Sequence, residues 1–147
     1  PYTTLFRSVR FKIILELLPN DMKNITLVDA GCGFGDFYLY LLKKKQQLKN
    51  YIGIDTLIDM YSIASENTGC EIIVADITKD ELPLADYYIC SGAMNVLDRF
   101  ETYLFIQNCY KSSKKGFIFN ILHGEDNSKT YNYFTKKDIH NIAKTLN

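Results

Sequence analysis

Residues 28–36, VDAGCGFGD, decide the fold of this chain. A short run rich in β-branched residues, 25–28, precedes the stretch and a helical pattern follows it, which is typical of a strand, a tight glycine turn and a helix. Glycine gives such a turn access to positive φ and lets a ligand approach the backbone closely. The stretch therefore predicts a loop that can cradle a nucleotide.

The spacing of the glycines separates two kinds of nucleotide site. A dinucleotide fingerprint, G-x-G-x-x-G, that begins at Gly31 and Gly33 needs its third glycine at the position of Asp36. The run is D-x-G-x-G-x-G instead, from Asp29 to Gly35. This pattern resembles motif I of the class I S-adenosylmethionine-dependent methyltransferases, which carry an acidic residue two positions before the first glycine. The resemblance implies a Rossmann-like three-layer α/β sandwich with a mostly parallel sheet, and S-adenosyl-L-methionine as the cofactor.

Two further apolar runs end in an acid, at Asp55 and Asp76. Asp55 lies 20 positions beyond Gly35, where a βα unit brings a carboxylate within reach of ribose hydroxyls. In the family, the acid at the place of Asp76 accepts a hydrogen bond from the exocyclic amine of adenine, and the next N–H, here that of Ile77, donates to the ring. A turn or N-cap role is the alternative for each acid. Because parallel strands end at one edge of a sheet, we expect Asp29, Asp55 and Asp76 to meet there.

Several other positions complete the predicted cofactor site. Arg10 lies in an Arg-Phe pair on an amphipathic helix, and it resembles an arginine that reaches the methionine carboxylate of the cofactor in some of these enzymes. A solvated surface charge is the alternative. Leu57 or Met60 is expected to lie against the adenine. The predicted cofactor-binding residues are Arg10, Asp29, Gly31, Cys32, Gly33, Gly35, Asp55, Thr56, Asp76, Ile77 and Ser91.

Length and composition bound the remaining possibilities. The 147 residues, 47% of them hydrophobic, suffice for one domain with a core. Seventeen basic and seventeen acidic residues give no net charge that would draw the chain to nucleic acid or to an anionic membrane. Four cysteines without C-x-x-C spacing indicate neither a zinc site nor a disulfide framework, so we expect no metal and a cytoplasmic setting. No apolar run approaches the roughly 20 residues of a membrane span.

The two ends of the sequence suggest a domain boundary and a truncation. Residues 1–8, PYTTLFRS, resemble the translation of a widely used sequencing adaptor, and we expect them to be non-native, with an ordinary polar terminus as the alternative. A turn is predicted at Lys114 and Lys115, before a fifth strand at residues 117–122. Beyond that strand only one helix is predicted, after Thr135, whereas the complete class I fold adds two strands, the last antiparallel. We therefore expect residues 9–147 to form an incomplete methyltransferase domain of about five strands.

The resemblance implies methyl transfer, with a small molecule or a sugar precursor as the expected acceptor. No Asp- or Asn-Pro-Pro-aromatic signature follows the predicted fourth strand, which disfavours methylation of nucleic-acid bases. Two alternatives stay open: a nicotinamide-dependent oxidoreductase on a related fold, disfavoured by Asp36, and an inactive methyltransferase-like binding subunit. We assign no catalytic residue, since a sulfonium already carries a good leaving group. His123 is a candidate base, and Asn95 and Ser91 are candidate polar contacts.

Overall fold

The computed structural model describes residues 2–124 and 130–146, with side chains from residue 6 onward. Strands and helices alternate along this part of the chain, except that no helix separates the third strand from the fourth. The strands are β1 (Thr26–Ala30), β2 (Asn50–Asp55), β3 (Glu71–Val74), β4 (Ala85–Ser91) and β5 (Ser113–Asn120). The helices are α1 (Tyr2–Leu17), α2 (Asp36–Lys43), α3 (Ile58–Thr68), α4 (Arg99–Ser112) and α5 (Lys136–Thr145), and a 3-10 turn spans Ala93–Val96.

The five strands form one sheet in the order β3-β2-β1-β4-β5, and every strand pair in the described part of the chain is parallel. The chain moves outward from β1 to β3 and then starts again on the other side of β1 with β4. Such a reversal opens a crevice outside the carboxyl ends of the two strands that flank it, which is where α/β sheets bind ligands. The crevice here lies beyond β1 and β4.

Hydrophobic side chains cover both faces of the sheet, because the alternation of the strands sends neighbouring residues to opposite sides. In β1, the fully buried Leu27 packs into a cluster with residues of α1 and α2, whereas the fully buried Val28 packs into a second cluster with residues of α4. Ile142 and Leu146 bring the α5 segment to this second cluster. The three-layer sandwich expected from the resemblance is confirmed.

Both ends of the fifth strand differ from the prediction. The predicted turn at Lys114 and Lys115 is instead part of β5, which begins at Ser113 and pairs with β4 through a register shift between Ala85 and Tyr87. Exposed lysines are well tolerated there because β5 lies at the edge of the sheet. The fifth strand also ends at Asn120, two residues earlier than predicted.

Helix α1 begins earlier than the apolar pattern from Val9 predicts. It starts at Tyr2 and continues through the segment that resembles an adaptor translation. Arg7 of that segment pairs with Asp36 at the start of α2, with Nη1 and Oδ2 2.6 Å apart. The non-native origin of residues 1–8 stays a prediction, and so does the domain boundary at residue 9. No described helix is long and apolar enough to cross a membrane.

Candidate cofactor site

The glycine loop between β1 and α2 has three left-handed residues, with φ of +77° at Gly31, +55° at Gly33 and +84° at Gly35. A Cβ on Gly31 would lie 2.3 Å from the Cβ of Ala93, and one on Gly35 would lie 2.4 Å from Cγ2 of Thr68. A Cβ on Gly33 would meet nothing within 4 Å. Gly31 and Gly35 are therefore required by packing within the protein, whereas Gly33 leaves open space above the backbone.

Hydrogen bonds tie this loop to the end of β2. The N–H of Gly31 donates to the carbonyl oxygen of Ile54 at 2.7 Å. The N–H of Gly33 donates to Oδ2 of Asp55 at 2.9 Å, and the N–H of Leu57 donates to Oδ1 at 3.0 Å. Both oxygens of Asp55 are thus held by backbone donors, which fixes the carboxylate beside the glycine loop.

Two cavities meet at Gly31, at the carboxyl edge of the sheet. The first, which we name the α1-side cavity, has a volume of about 350 Å³, and the second, the β3-side cavity, about 510 Å³. Predicted residues in the wall of the α1-side cavity are Arg10, Asp29, Gly31, Cys32, Gly33 and Ser91. Those in the wall of the β3-side cavity are Gly31, Asp55, Thr56, Asp76 and Ile77.

The two cavities therefore contain every predicted site residue except Gly35, which is buried against Thr68. Of the two apolar candidates for the adenine, Leu57 lines the β3-side cavity, and Met60 is not in its wall. The cavities share Gly31 and so lie side by side at the edge of the sheet, and we refer to the two together as the cleft.

Arg10 brings a guanidinium to the α1-side cavity. Its Nε atom is buried and has no hydrogen-bond partner among the described residues. Nearly all buried polar groups in proteins are hydrogen-bonded, so this donor lacks a partner that water or a ligand in the cavity would supply. The forked guanidinium is suited to a carboxylate, which fits the methionine end of the implied cofactor.

Asp29 lies in the same cavity wall but is only 4% exposed. The pKa of Asp29 is raised from 3.8 to about 7: burial is the main cause, the charges of Asp55 and Asp36 also raise it, and a hydrogen bond from the Tyr51 hydroxyl lowers it. The Tyr51 oxygen lies 2.6 Å from Oδ2 of Asp29. At neutral pH the Asp29 carboxyl group is therefore partly protonated and partly ionised, and a cation in the cavity would favour the ionised form.

Asp76 is the acidic residue of the β3-side cavity that follows β3. Its Oδ1 atom accepts hydrogen bonds from the hydroxyl of Thr78 at 2.6 Å and from the N–H of Thr78 at 2.9 Å. These bonds lower the pKa of Asp76, so it is ionised and only accepts hydrogen bonds at neutral pH. An amine can donate a hydrogen bond to such a carboxylate, whereas a carbonyl, which is itself an acceptor, cannot. Ile77 beside it is 3% exposed, and its carbonyl oxygen accepts a hydrogen bond from Nδ2 of Asn108 at 2.8 Å.

The polar candidates beyond β4 also make contacts within the protein. Oγ of Ser91 accepts a hydrogen bond from Nδ2 of Asn120 at 2.9 Å, and Oδ1 of Asn95 accepts one from the N–H of Leu122 at 3.3 Å. Ser91 and Asn95 nevertheless line the α1-side cavity. His123 is exposed, pairs with Phe134 in an isolated bridge and lies in the wall of neither cavity.

Two contacts of the site have no signal in the sequence. Tyr51 lies in a run that reads as an apolar strand, yet its hydroxyl reaches Asp29. Ala93 reads as an ordinary small residue, yet its methyl group lies where a side chain on Gly31 would have to be. Both contacts join residues far apart in the sequence.

The cysteines are free, and the described residues include no cluster of three or more His, Cys, Asp or Glu side chains that could hold a metal ion. Cys32 lies in the glycine loop and lines the α1-side cavity. Burial, assisted by the charges of Asp29 and Asp55, raises the pKa of its thiol to about 12. The thiol is therefore protonated at neutral pH and is not a ready nucleophile.

A parallel sheet in this order, with a glycine loop after β1 and acids at or just after the ends of the next two strands, is typical of class I S-adenosylmethionine-dependent methyltransferases. The family model described as a methyltransferase domain matches residues 27–116, more than half of the chain, and the chain belongs to this family. The match runs from β1 into β5. No curated protein sequence matches the chain.

Solved structures of low sequence identity share the fold. Magnesium protoporphyrin IX methyltransferase of Synechocystis PCC 6803, with bound SAM, is 16% identical with a TM-score of 0.75, and the alignment covers 99% of this chain and 68% of that one. An S-adenosylmethionine-dependent methyltransferase of Mesorhizobium loti is 18% identical with a TM-score of 0.71, covering 92% and 78%. The [4+2]-cyclase SpnF is 15% identical with a TM-score of 0.74, covering 95% and 56%. Since a cyclase shares the fold, the fold alone does not determine the reaction.

Proposed function

We propose that this chain binds S-adenosylmethionine along the cleft formed by the two cavities and transfers its methyl group to a small-molecule acceptor. The unpartnered Nε of Arg10, in the same cavity wall as Asp29, carries this proposal. A cation and an acid in the wall of one cavity match the carboxylate and the ammonium of an amino acid. Asp55 and Asp76, in the wall of the β3-side cavity, are then available to bind the nucleoside of the cofactor.

In this assignment Arg10 binds the methionine carboxylate and Asp29 binds the ammonium. The backbone at Gly33 approaches the ligand closely, because no side chain fills the space above it. Asp55 accepts hydrogen bonds from the ribose hydroxyls. It can do so while keeping its bonds to Gly33 and Leu57, since each carboxylate oxygen has two lone pairs.

The adenine lies in the β3-side cavity, against Leu57. Oδ2 of Asp76 accepts a hydrogen bond from its exocyclic amine, because Oδ1 already accepts two bonds from Thr78. The N–H of Ile77 donates to the ring. The negative charge of Asp76 disfavours a base with a carbonyl in place of the amine, which gives the site a preference for adenine.

S-adenosylmethionine, when bound, supplies an electrophilic methyl group on a positively charged sulfur. The protein aligns this group with the acceptor and excludes water, which contributes roughly 7–11 kcal/mol through effective concentration. Ser91 and Gly92 at the end of β4 are small enough for a close approach. The Ser91 hydroxyl accepts a hydrogen bond from Asn120, so its own proton remains available for the acceptor.

The charge around the cleft supports a small molecule, including a sugar precursor, over nucleic acid. The charged residues in the two cavity walls are the acids Asp29, Asp36, Asp55, Asp76 and Glu101 and the bases Arg7 and Arg10. Arg7 is also paired with Asp36. A phosphate backbone would meet mostly acids here, and the chain carries no net charge to compensate. An uncharged or cationic acceptor fits this surface better.

Calorimetric titration with S-adenosylhomocysteine tests the cofactor assignment. We expect the chain to bind it and not NAD, and Asp55→Ala to weaken binding about tenfold or more, since hydrogen bonds to a charged group contribute about 1.5–3 kcal/mol. Asp59→Ala, an exposed acid in the first turn of α3, is the matched control. Binding of NAD alone, or an unchanged affinity in Asp55→Ala, would contradict the assignment.

Methyl transfer from labelled S-adenosylmethionine tests the acceptor. A panel of sugars, phenols and amines is compared with RNA and DNA under the same conditions. Label in one class of small molecule supports the proposal. Label in nucleic acid alone contradicts the acceptor class, and cofactor binding without transfer to any acceptor favours the inactive binding subunit.

A further inference from the structure

Asp29 and Tyr51 form a buried hydrogen bond between β1 and β2. The hydroxyl of Tyr51 donates to Oδ2 of Asp29 at 2.6 Å, and each side chain is 4% exposed. In the parallel register Asp29 lies opposite Gly53, so Tyr51 is the next residue of β2 on the same face. The Tyr51 hydroxyl therefore reaches Asp29 from a position on the same face of the sheet.

Neighbouring groups hold the Tyr51 ring in this orientation. The ring of Tyr38 on α2 packs against it with 4.8 Å between the ring centroids. Tyr51 also belongs to the buried cluster on the α1 and α2 face of the sheet. A ring packed in this way has little rotamer freedom, so its hydroxyl is a fixed donor rather than one that adapts to the ligand.

The two oxygens of Asp29 therefore have different surroundings. Oδ2 accepts the hydrogen bond from Tyr51, while Oδ1 accepts none from the described side chains. Asp29 lines the α1-side cavity together with Arg10. The bond to Tyr51 thus leaves one oxygen available to a ligand in that cavity.

We propose that Tyr51 is a positioning residue that orients Asp29 toward the ammonium of the cofactor, so that recognition of the amino-acid end of the cofactor depends on a side chain of β2. The inference rests on the proposed function, because it takes the ligand of the α1-side cavity to be the methionine moiety. Tyr51 itself does not line that cavity and acts through Asp29.

The charges around Asp29 give this role a dependence on pH. The titratable groups that interact with Asp29 are Tyr51 and Asp55 on β2, Asp36 on α2, Cys32 in the glycine loop and Cys90 on β4. Arg10 on α1 lines the same cavity as Asp29. Burial and the two nearby acids raise the pKa of Asp29, and the Tyr51 hydrogen bond lowers it. Removing the hydroxyl therefore raises the pKa of Asp29 further, and a larger fraction is neutral at pH 7.

Two ligands and three variants test the inference by calorimetry between pH 6 and 8.5. S-adenosylhomocysteine carries the ammonium and the carboxylate, whereas 5′-methylthioadenosine carries neither and reports on the nucleoside end alone. The variants are Tyr51→Phe, Asp29→Asn and the matched control Tyr38→Phe, which removes a hydroxyl from the adjacent ring. Wild-type affinity for S-adenosylhomocysteine is expected to rise with pH through about 7 and then level off.

In Tyr51→Phe, affinity for S-adenosylhomocysteine is expected to fall about tenfold at pH 7, with the midpoint of the rise moved to higher pH. Affinity for 5′-methylthioadenosine is expected to stay unchanged, and Tyr38→Phe is expected to follow the wild type. Asp29→Asn is expected to bind S-adenosylhomocysteine weakly, without the rise near pH 7. An unchanged pH profile in Tyr51→Phe, or an equal loss of affinity for both ligands at every pH, would overturn this inference and leave the proposed function standing.

Failure of the wild type to bind S-adenosylhomocysteine would overturn the proposed function as well, which separates the two failures. Proton NMR of the wild type gives a readout that does not require the variant to fold. We expect a slowly exchanging Tyr51 hydroxyl resonance that shifts when S-adenosylhomocysteine binds. A resonance that does not respond to the ligand would overturn the inference.

Discussion

Gly33 and Asp55 join the glycine loop to the end of β2 through one hydrogen bond, from the Gly33 N–H to Oδ2 of Asp55 at 2.9 Å. The bond places a loop without side chains directly beside a carboxylate that follows the second strand. In the proposed complex the same two residues contact the ligand from adjacent sides. The contribution of each can be separated, because the chain offers matched controls for both.

Gly33→Ala is expected to weaken S-adenosylhomocysteine binding, since the new methyl group would occupy the open space above the loop. Gly69 is the control: it has φ +68° and, like Gly33, nothing within 4 Å of an added Cβ, but it lies at the end of α3. Both variants are expected to lose about 1–2 kcal/mol of stability to left-handed strain. Equal ligand affinity in the two variants would show that Gly33 has no special role in binding.

Arg10→Ala is expected to lower affinity for S-adenosylhomocysteine by about 10- to 100-fold, because a charge-assisted hydrogen bond to the carboxylate is lost. Affinity for 5′-methylthioadenosine is expected to stay the same, since that ligand has no carboxylate. Lys12→Ala removes an exposed cation from the same helix and serves as control. A similar loss of affinity for both ligands would instead indicate that Arg10 maintains the structure of the cleft and does not bind the carboxylate.

Asp29→Asn is expected to stabilise the ligand-free protein as the pH rises. The folded state raises the pKa of Asp29 from 3.8 to about 7, so its contribution to stability is present below pH 4 and is lost as the pH rises through 7. Relative to the wild type, the variant should gain stability between pH 4 and 7, reaching about 2–4 kcal/mol at pH 8. Thermal unfolding of both proteins from pH 4 to 8 measures the difference, and a difference independent of pH would contradict the prediction.

Asp76→Ala is expected to remove the preference for adenine over hypoxanthine. The wild type should bind S-adenosylhomocysteine at least tenfold more tightly than S-inosylhomocysteine, because the ionised Asp76 accepts from an amine and meets a carbonyl unfavourably. In the variant the two affinities should converge. Lys79→Ala, an exposed neighbour in the same turn, is the control, and a preference that persists in Asp76→Ala would assign the discrimination to another group.

Local patterns predicted the fold well, and for a physical reason. An apolar run, a glycine turn and an amphipathic helix each bury one face or stripe, and this periodicity is written in neighbouring residues. The prediction that Thr135 precedes a helix is confirmed, because Thr135 and Asp138 form a capping box over four adjacent positions. The turn predicted at Lys114 was wrong. Lys114 lies in β5, and the pairing of β5 with β4 depends on residues nearly thirty positions away.

The candidate site also has features that depend on neighbouring residues and features that depend on the tertiary structure. The sequence by itself determined the three left-handed glycines and the order of Asp29, Asp55 and Asp76 along the strands, because turn geometry and strand ends are local properties. Only the tertiary structure decided that Arg10 has a buried donor without a partner and that Tyr51 bonds to Asp29. Burial and its effect on a pKa arise from groups that the fold brings together from distant segments, and no spacing in one chain encodes them.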